Sequence, residues 1–160
     1  MDAIGFTHHD HNCCIQNTVD VADKHCKQAG LQLTPIRKRV LEILLEEHRA
    51  LGAYEILDRL RQEKLGSQPP VAYRALDFLV KNGFAHKIER MNAFVACTQP
   101  GEAHTPVFMI CRECDTVAES TSELSQGQLG RTAKDLGFSI ERIVIEAEGL
   151  CPNCQSHAPS

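Results

Sequence analysis

Two cysteine pairs carry the most explicit chemistry in this chain of 160 residues. They are Cys111-Arg-Glu-Cys114 and Cys151-Pro-Asn-Cys154, with 36 residues between them. Two cysteines spaced in this way can turn both sulfurs toward one ion, and four thiolates complete a tetrahedron with no open position for catalysis. The pattern reads as a structural zinc site, in which metal binding is itself folding free energy. Other uses of these residues fit less well. A thioredoxin-like redox pair needs one Cys-x-x-Cys at a strand-to-helix turn of a βαβ unit, and no such unit is visible. The usual iron–sulfur runs are more tightly spaced. A zinc deaminase needs His-x-Glu upstream of Pro-Cys-x-x-Cys. Here the order is Leu150-Cys151-Pro152, and no His-x-Glu triplet occurs. Nor is there a nucleophile, base and oxyanion set, so neither an enzyme nor a small-molecule substrate is expected.

The remaining cysteines divide by context. Cys26 reads as core, since a free cysteine is among the residue types most often buried. Cys13 and Cys14 follow His8, His9 and His11 in a polar, irregular stretch. Residues 1–17 are read as a flexible tail that either binds a further zinc weakly or has no essential role.

A second kind of chemistry lies in basic side chains near a helix start. Tyr73 and Arg74 follow Pro69-Pro70 at the start of an amphipathic segment. The N-terminal end of a recognition helix is what reaches base edges in the major groove. Arginine offers a two-pronged donor to guanine, and tyrosine can pack on a thymine methyl or touch a phosphate. Arg37, Lys38 and Arg39, on the preceding basic helix, are placed to hold phosphates. A solvated bundle face would carry the same residues, so the surrounding elements must decide.

Those elements are ordered as a winged helix-turn-helix. A helix from about Asp20 ends at Gly30. Thr34-Pro35 then opens a second, an N-cap followed by a residue whose missing N–H costs nothing there. A third runs from about Ala53 to Lys64. Across a fourth, ending near Lys81, Ala72, Ala75, Leu76, Leu79 and Val80 repeat at helical spacing. Two short strands follow, about Phe84–Glu89 and Ala93–Thr98. After Pro100-Gly101 the pattern becomes ββαβ: a strand at Val107–Ile110, a partner at Thr116–Glu119, a weakly apolar helix over 122–136 and a long strand over Phe138–Ala147. The expected class is α+β: a flexible tail (1–17), a winged-helix DNA-binding domain (18–98), a hinge (99–105) and a C-terminal α/β dimerisation and metal-binding domain (106–160).

The charge follows that division. The net charge of −4 conceals eleven Lys/Arg against eight Asp/Glu over 30–90, and four against nine over 100–160. A mildly basic half joined to an acidic one fits a DNA-binding module on a module of another kind. No stretch approaches the ~18–20 apolar residues of a membrane span. The start lacks the basic and apolar regions of a signal peptide, so a cytoplasmic protein is expected. Eight cysteines in that compartment point to metal or thiol chemistry rather than disulfides.

With these residues in view, the chain resembles the ferric uptake regulator family, and most closely its zinc-sensing branch. The matching stretches are Leu33-Thr-Pro-Ile-Arg37, Ala53-Tyr-Glu-Ile-Leu57, Pro69-Pro-Val-Ala-Tyr-Arg-Ala-Leu76, Gly83-Phe-Ala-His-Lys-Ile-Glu89, His104-Thr-Pro-Val-Phe-Met-Ile-Cys111 and both cysteine pairs. The resemblance implies a homodimeric, zinc-responsive repressor that binds double-stranded operator DNA ahead of zinc-uptake genes, with zinc as corepressor. It adds Tyr54 to the DNA-contacting set. It also implies a second, regulatory zinc held by His86, Cys97, His104 and Glu119, which fixes the hinge so that two recognition helices match two half-sites. Taken singly, His86, Cys97 and Glu119 have plainer readings: a solvent-facing wing histidine, a small core thiol, a solvated carboxylate. Two departures stand out. The family's usual Thr-Val-Tyr-Arg is here Val71-Ala72-Tyr73-Arg74, which removes a hydroxyl. The His-His-Asp-His string that precedes the first cysteine pair in the iron branch is here Glu102-Ala103-His104-Thr105. The alternatives are iron, manganese or peroxide response on the same scaffold, or a zinc-stapled thiol redox switch.

Overall fold

The computed structural model describes residues 11–47, 49–66, 68–100, 104–121 and 127–157, with the His11 side chain left out. Four helices come first: α1 (His11–Gln28), α2 (Pro35–Glu46), α3 (Ala53–Gln62) and α4 (Pro69–Lys81). Local chemistry sets their ends. Thr34 Oγ1 accepts from the Arg37 amide at 3.3 Å and caps α2. Glu55 reaches back to the Gly52 amide at 3.0 Å and caps α3. Pro69-Pro70 opens α4, and Gly83, at φ +77°, takes the left-handed turn that ends it. Leu41, Ile43, Ile56, Leu60, Leu76 and Leu79 are fully buried where the helices meet.

The sequence expectation left residues 11–17 in a flexible tail; they belong instead to α1. Its inward stripe begins at Ile15, which packs on the core, and continues through Val19, Ala22 and Cys26 at helical spacing. Asn12, Gln16 and Asn17 on the outer face conceal that stripe from a reading of composition. Residues 1–10, with His8 and His9, lie outside the described residues.

The wing is the antiparallel pair β1 (Ala85–Ile88) and β2 (Ala93–Ala96), joined by a single 3₁₀ turn over Glu89–Met91. Leu51, just before α3, exchanges two backbone hydrogen bonds with Phe94 and seats the wing against the helices. Past the expected hinge, of which 101–103 lie outside the described residues, come β3 (Pro106–Cys111), β4 (Val117–Thr121), α5 (Gln128–Asp135), β5 (Ile145–Gly149) and the short α6 (Pro152–Ser156). The sheet order is β4-β3-β5, with β4 antiparallel and β5 parallel to β3.

Two expectations, the start of the last strand and the burial of Val80, are corrected by the structure. The last strand was read as Phe138–Ala147, but pairing starts at Ile145 opposite Val107. Only Pro106 precedes Val107 on β3, and a proline has no N–H to extend the pairing. Phe138 is 66% exposed despite its strand-like composition. Of the helix expected over 122–136, the described part is α5, which buries only Ala133, while 122–126 lie outside the described residues. Val80, assigned to the inner face of α4, is 36% exposed.

The two parts share a core. Ala50, Ile88, Ala93 and Val95 from the helix–wing side pack with Phe108, Ile110 and Val117 from the sheet, and a β-bridge joins Arg49 to Thr116. The expected outcome for packing is a contrast on one helix. Leu76→Ala, at a site with no exposed surface, should cost about 2–5 kcal/mol of stability. Val80→Ala should cost less than about 1 kcal/mol, because Val80 still keeps 36% of its surface in water and less is lost on truncation. Denaturant unfolding of both variants with zinc present measures the difference; equal losses would place Val80 in the core.

Candidate metal centres and DNA-reading face

The two Cys-x-x-Cys pairs meet because β3 and β5 run parallel. Cys111 ends β3 opposite Gly149, near the end of β5, so both chains turn away at one end of the sheet. The first turn is closed by Cys111 N–H to Thr116 O and Asp115 N–H to Cys111 O, both 3.0 Å, with Asp115 at φ +59°. The second is the cap of α6, where Cys151 Sγ accepts from the Cys154 amide at 3.5 Å. Cys151 N–H in turn points at Cys111 Sγ, 3.4 Å away.

One sulfur from each of the four cysteines lies within 4.8 Å of the others. No disulfide forms among the described cysteines. The backbone amides of Cys151, Cys114 and Glu113 hold the Cys111 thiol down to about 6, while the neighbouring sulfurs, with burial, push Cys154 up to about 12. Four sulfurs so placed cannot all ionise without a cation among them. A soft, tetrahedral divalent ion such as zinc meets that requirement.

The second cluster draws one ligand from each of four segments. His86 stands on β1, Cys97 just after β2, His104 just before β3 and Glu119 on β4. Their ligand atoms also lie within 4.8 Å of one another. Glu119 is the only buried charged residue among those described, at 5% exposure. Its Oε1 lies 2.8 Å from His104 Nε2 and 3.2 Å from His86 Nε2, and its Oε2 accepts from the Thr98 amide at 3.0 Å. Burial pushes this carboxyl up, but the approach of His86, the Thr98 amide and His104 outweigh it and hold the group below its ordinary value. Cys97 Sγ lies 3.6 Å from His104 Nε2 and 3.9 Å from Glu119 Oε1. Burial and the nearby carboxylate push its thiol up to about 12.

His86 Nε2 is the telling atom. It is buried and makes no well-angled hydrogen bond, although Glu119 is close. Its ring is held by an edge contact with His104 and a tilted one with Phe108. A buried nitrogen left without a hydrogen-bond partner is costly unless something else meets its lone pair. Two nitrogens, one sulfur and one carboxylate oxygen suit a tetrahedral zinc ion. All eight ligand residues named from sequence are thus brought into two groups of four.

The expected DNA contacts are more dispersed. Arg74 and Tyr73 are exposed near the start of α4, Lys38 is exposed on α2, and Tyr54 is 64% exposed in the first turn of α3. Arg37 lies over the Phe78 ring at 3.8 Å and donates to Gln32 O at 2.7 Å. Arg39 is corrected from the phosphate-contacting set. Its guanidinium binds Glu63 at 2.7 Å and Glu42 and Glu46 at 3.1 Å each, tying α2 to the end of α3.

A winged helix-turn-helix joined to a small sheet, with one metal cluster at the joint and one beyond it, defines a class of metal-responsive regulator. The ferric uptake regulator family model matches residues 28–148, and the chain belongs to that family. It is 39% identical to the zinc uptake regulation protein of Escherichia coli (strain K12) over 142 residues, 87% of this chain and 82% of that one. A solved zinc uptake regulator complexed with zinc and DNA superimposes with a TM-score of 0.85 at 38% identity, covering 89% and 96% of the two chains. The holo structure of XcZur gives 0.79 at 41% identity, covering 88% and 98%. The apo structure of XcZur, at the same identity and covering 89% and 99%, gives 0.51.

Cys151→Ser should remove zinc from the four-sulfur cluster and unfold the sheet around it, since such a site contributes apparent binding energy of ~10–16 kcal/mol. Elemental analysis with sedimentation checks this. A variant that keeps full zinc content and a cooperative fold would show that the cluster is not structural.

Proposed function

We propose that the chain is a zinc-responsive, DNA-binding transcriptional repressor, with one structural and one regulatory zinc per chain. The observation that carries this reading is the second cluster's membership. His86 and Cys97 belong to the wing, His104 and Glu119 to the sheet side, so any ion they hold joins the two parts. A bound zinc would supply two positive charges where one carboxylate and one thiolate converge. The protein's own groups define the rest: Glu119 anchors the two histidines, and the shared core around Phe108 gives the joint one packing.

The superpositions support the same reading. At equal sequence distance the chain matches the holo form of one relative far better than its apo form. That likeness supports reading the present arrangement as the metal-loaded one. In it α4 presents Tyr73 and Arg74 outward, with Lys38 and Tyr54 as flanking contacts to the DNA backbone. A second copy of the chain completes the reading unit. Leu136, Phe138, Leu129 and Val144 are exposed apolar residues on the sheet side, and among the described residues the outer edge of β5 is unpaired. Patches of this kind mark association surfaces.

Cys97 decides among metals. A thiolate ligand favours zinc over the harder iron and manganese ions. Burial of its thiol also opposes a redox role for Cys97 itself, because reactive thiols are exposed.

Two measurements check the proposal. Cys97→Ser should keep the fold and the four-sulfur zinc but lose the second zinc and zinc-dependent DNA binding; coupling of ~1–3 kcal/mol corresponds to a roughly 5–150-fold change in affinity. If the variant still binds two zinc ions and still needs zinc for DNA, the regulatory site lies elsewhere. On the DNA side, Arg74→Ala should relax base preference at one position per half-site by about 1–3 kcal/mol. Lys38→Ala should weaken all sequences alike and flatten the salt dependence. Unchanged discrimination in Arg74→Ala would remove α4 from the recognition role.

A further inference from the structure

The tip of the wing is tied to β5 by contacts that involve neither metal cluster. Glu146, the second residue of β5, turns its carboxylate onto the 3₁₀ turn that joins β1 to β2. Oε1 accepts from the Glu89 amide at 2.6 Å and Oε2 from the Arg90 amide at 3.2 Å. These are the first two amides of a one-turn helix, and such amides find no partner inside the turn. Their acceptor comes from more than fifty residues further along the chain. Around this contact Arg142 Nη2 reaches Glu89 at 2.9 Å, and Arg90 pairs with Glu148. The clamp and the outer pairs alike are exposed, and exposed ion pairs contribute little. A carboxylate that accepts two amides is the stronger element.

We propose that Glu146 is a positioning residue, clamping the wing turn onto β5 so that the closed arrangement is partly held before any zinc enters the second cluster. The proposal rests on the zinc-responsive reading above and adds to it a metal-independent share of the closed state. β5 leads directly into Cys151, so the clamp ties the wing to the segment that the four-cysteine site fixes. The consequence is a set-point. A ligand that binds only the closed form has its apparent affinity reduced by the fraction of molecules that are open. Glu146 lowers that fraction without touching a metal ligand, and so raises the zinc affinity of the second cluster.

The test uses the full chain with its structural zinc in place. Wild type, Glu146→Ala, Glu146→Gln and Arg142→Ala are titrated with zinc against a competing chelator. In parallel, hydrogen exchange follows the Glu89 and Arg90 amides at saturating zinc. Glu146→Ala should weaken binding of the second zinc by roughly ten-fold, Glu146→Gln by less, and Arg142→Ala scarcely at all. Exchange at Glu89 and Arg90 should accelerate in Glu146→Ala, with α4 still protected, the structural zinc retained and the sedimentation unchanged. A second-zinc affinity unchanged in Glu146→Ala overturns the proposal, whether or not the two amides exchange faster. Loss of the structural zinc, or exposure of α4, overturns it too, since Glu146 would then serve the fold in general. If wild type itself takes up no second zinc, the zinc-responsive reading fails instead, and protected amides in Glu146→Ala would then reject the clamp separately.

Discussion

A carboxylate buried to 5% exposure must have its charge met, and Glu119 meets it with groups from three other segments. Desolvating an ion is expensive unless it is paired and hydrogen-bonded. The wing, the segment just after β2 and the segment before β3 therefore converge on β4 because each supplies a partner that Glu119 requires. Removing any one of them leaves a buried charge with less than it needs. That demand makes the joint between the two parts specific: apolar packing around Phe108 and Ile88 brings the surfaces together, but only the polar cluster fixes their register.

The two clusters do different work because of how they are connected. The cysteine group is local to the sheet, its halves related by the parallel pairing of β3 and β5, and every ligand there is a thiol. Its four thiols suit a closed, structural site. The second group is mixed, spans the joint, and contains a buried His86 nitrogen that lies near Glu119 without a well-angled hydrogen bond. A site that holds the two halves of a molecule together can report on occupancy; a site within one half can only stabilise it. The capping of the wing turn by Glu146 adds a third tie to this joint. Closure there is a sum of a packing contact, a polar cluster and a backbone clamp.

Much of this was legible in the residues. Helix ends marked by Thr34-Pro35, Pro69-Pro70 and Gly83 stand where the local chemistry puts them, and the cysteine spacing alone pointed to a shared ion. The second ligand set was different in kind. His86, Cys97, His104 and Glu119 have no spacing rule in common, and each is unremarkable by itself; only the likeness to a family singled them out. The misses have physical causes. α1 was cut short because polar residues on its outer face masked a stripe that starts at Ile15. The strand before Ile145 was over-extended because apolar, β-branched composition says nothing about whether a partner is present, and β3 runs out at Pro106. Arg39 looked like a phosphate ligand because sequence shows its charge but not the three carboxylates gathered around it from α2 and the end of α3. Glu146 carries no local signal at all: its partners are backbone amides far away in the chain.

The parallel pairing of β3 with β5 also orders events in time. A chain emerging from the ribosome lays down its helices and wing from local contacts, which form early and fast. Cys111 and Cys114 then emerge, but the ion they would share cannot be enclosed until the last tenth of the chain supplies Cys151 and Cys154. Closing a loop of that length costs entropy before any contact rewards it, and for the four-cysteine site the reward is coordination. Metal capture must therefore wait for Cys151 and Cys154 to emerge. A nascent chain in a zinc-starved cell would carry β5 and the second cysteine pair unanchored, open to proteases before it could ever occupy DNA.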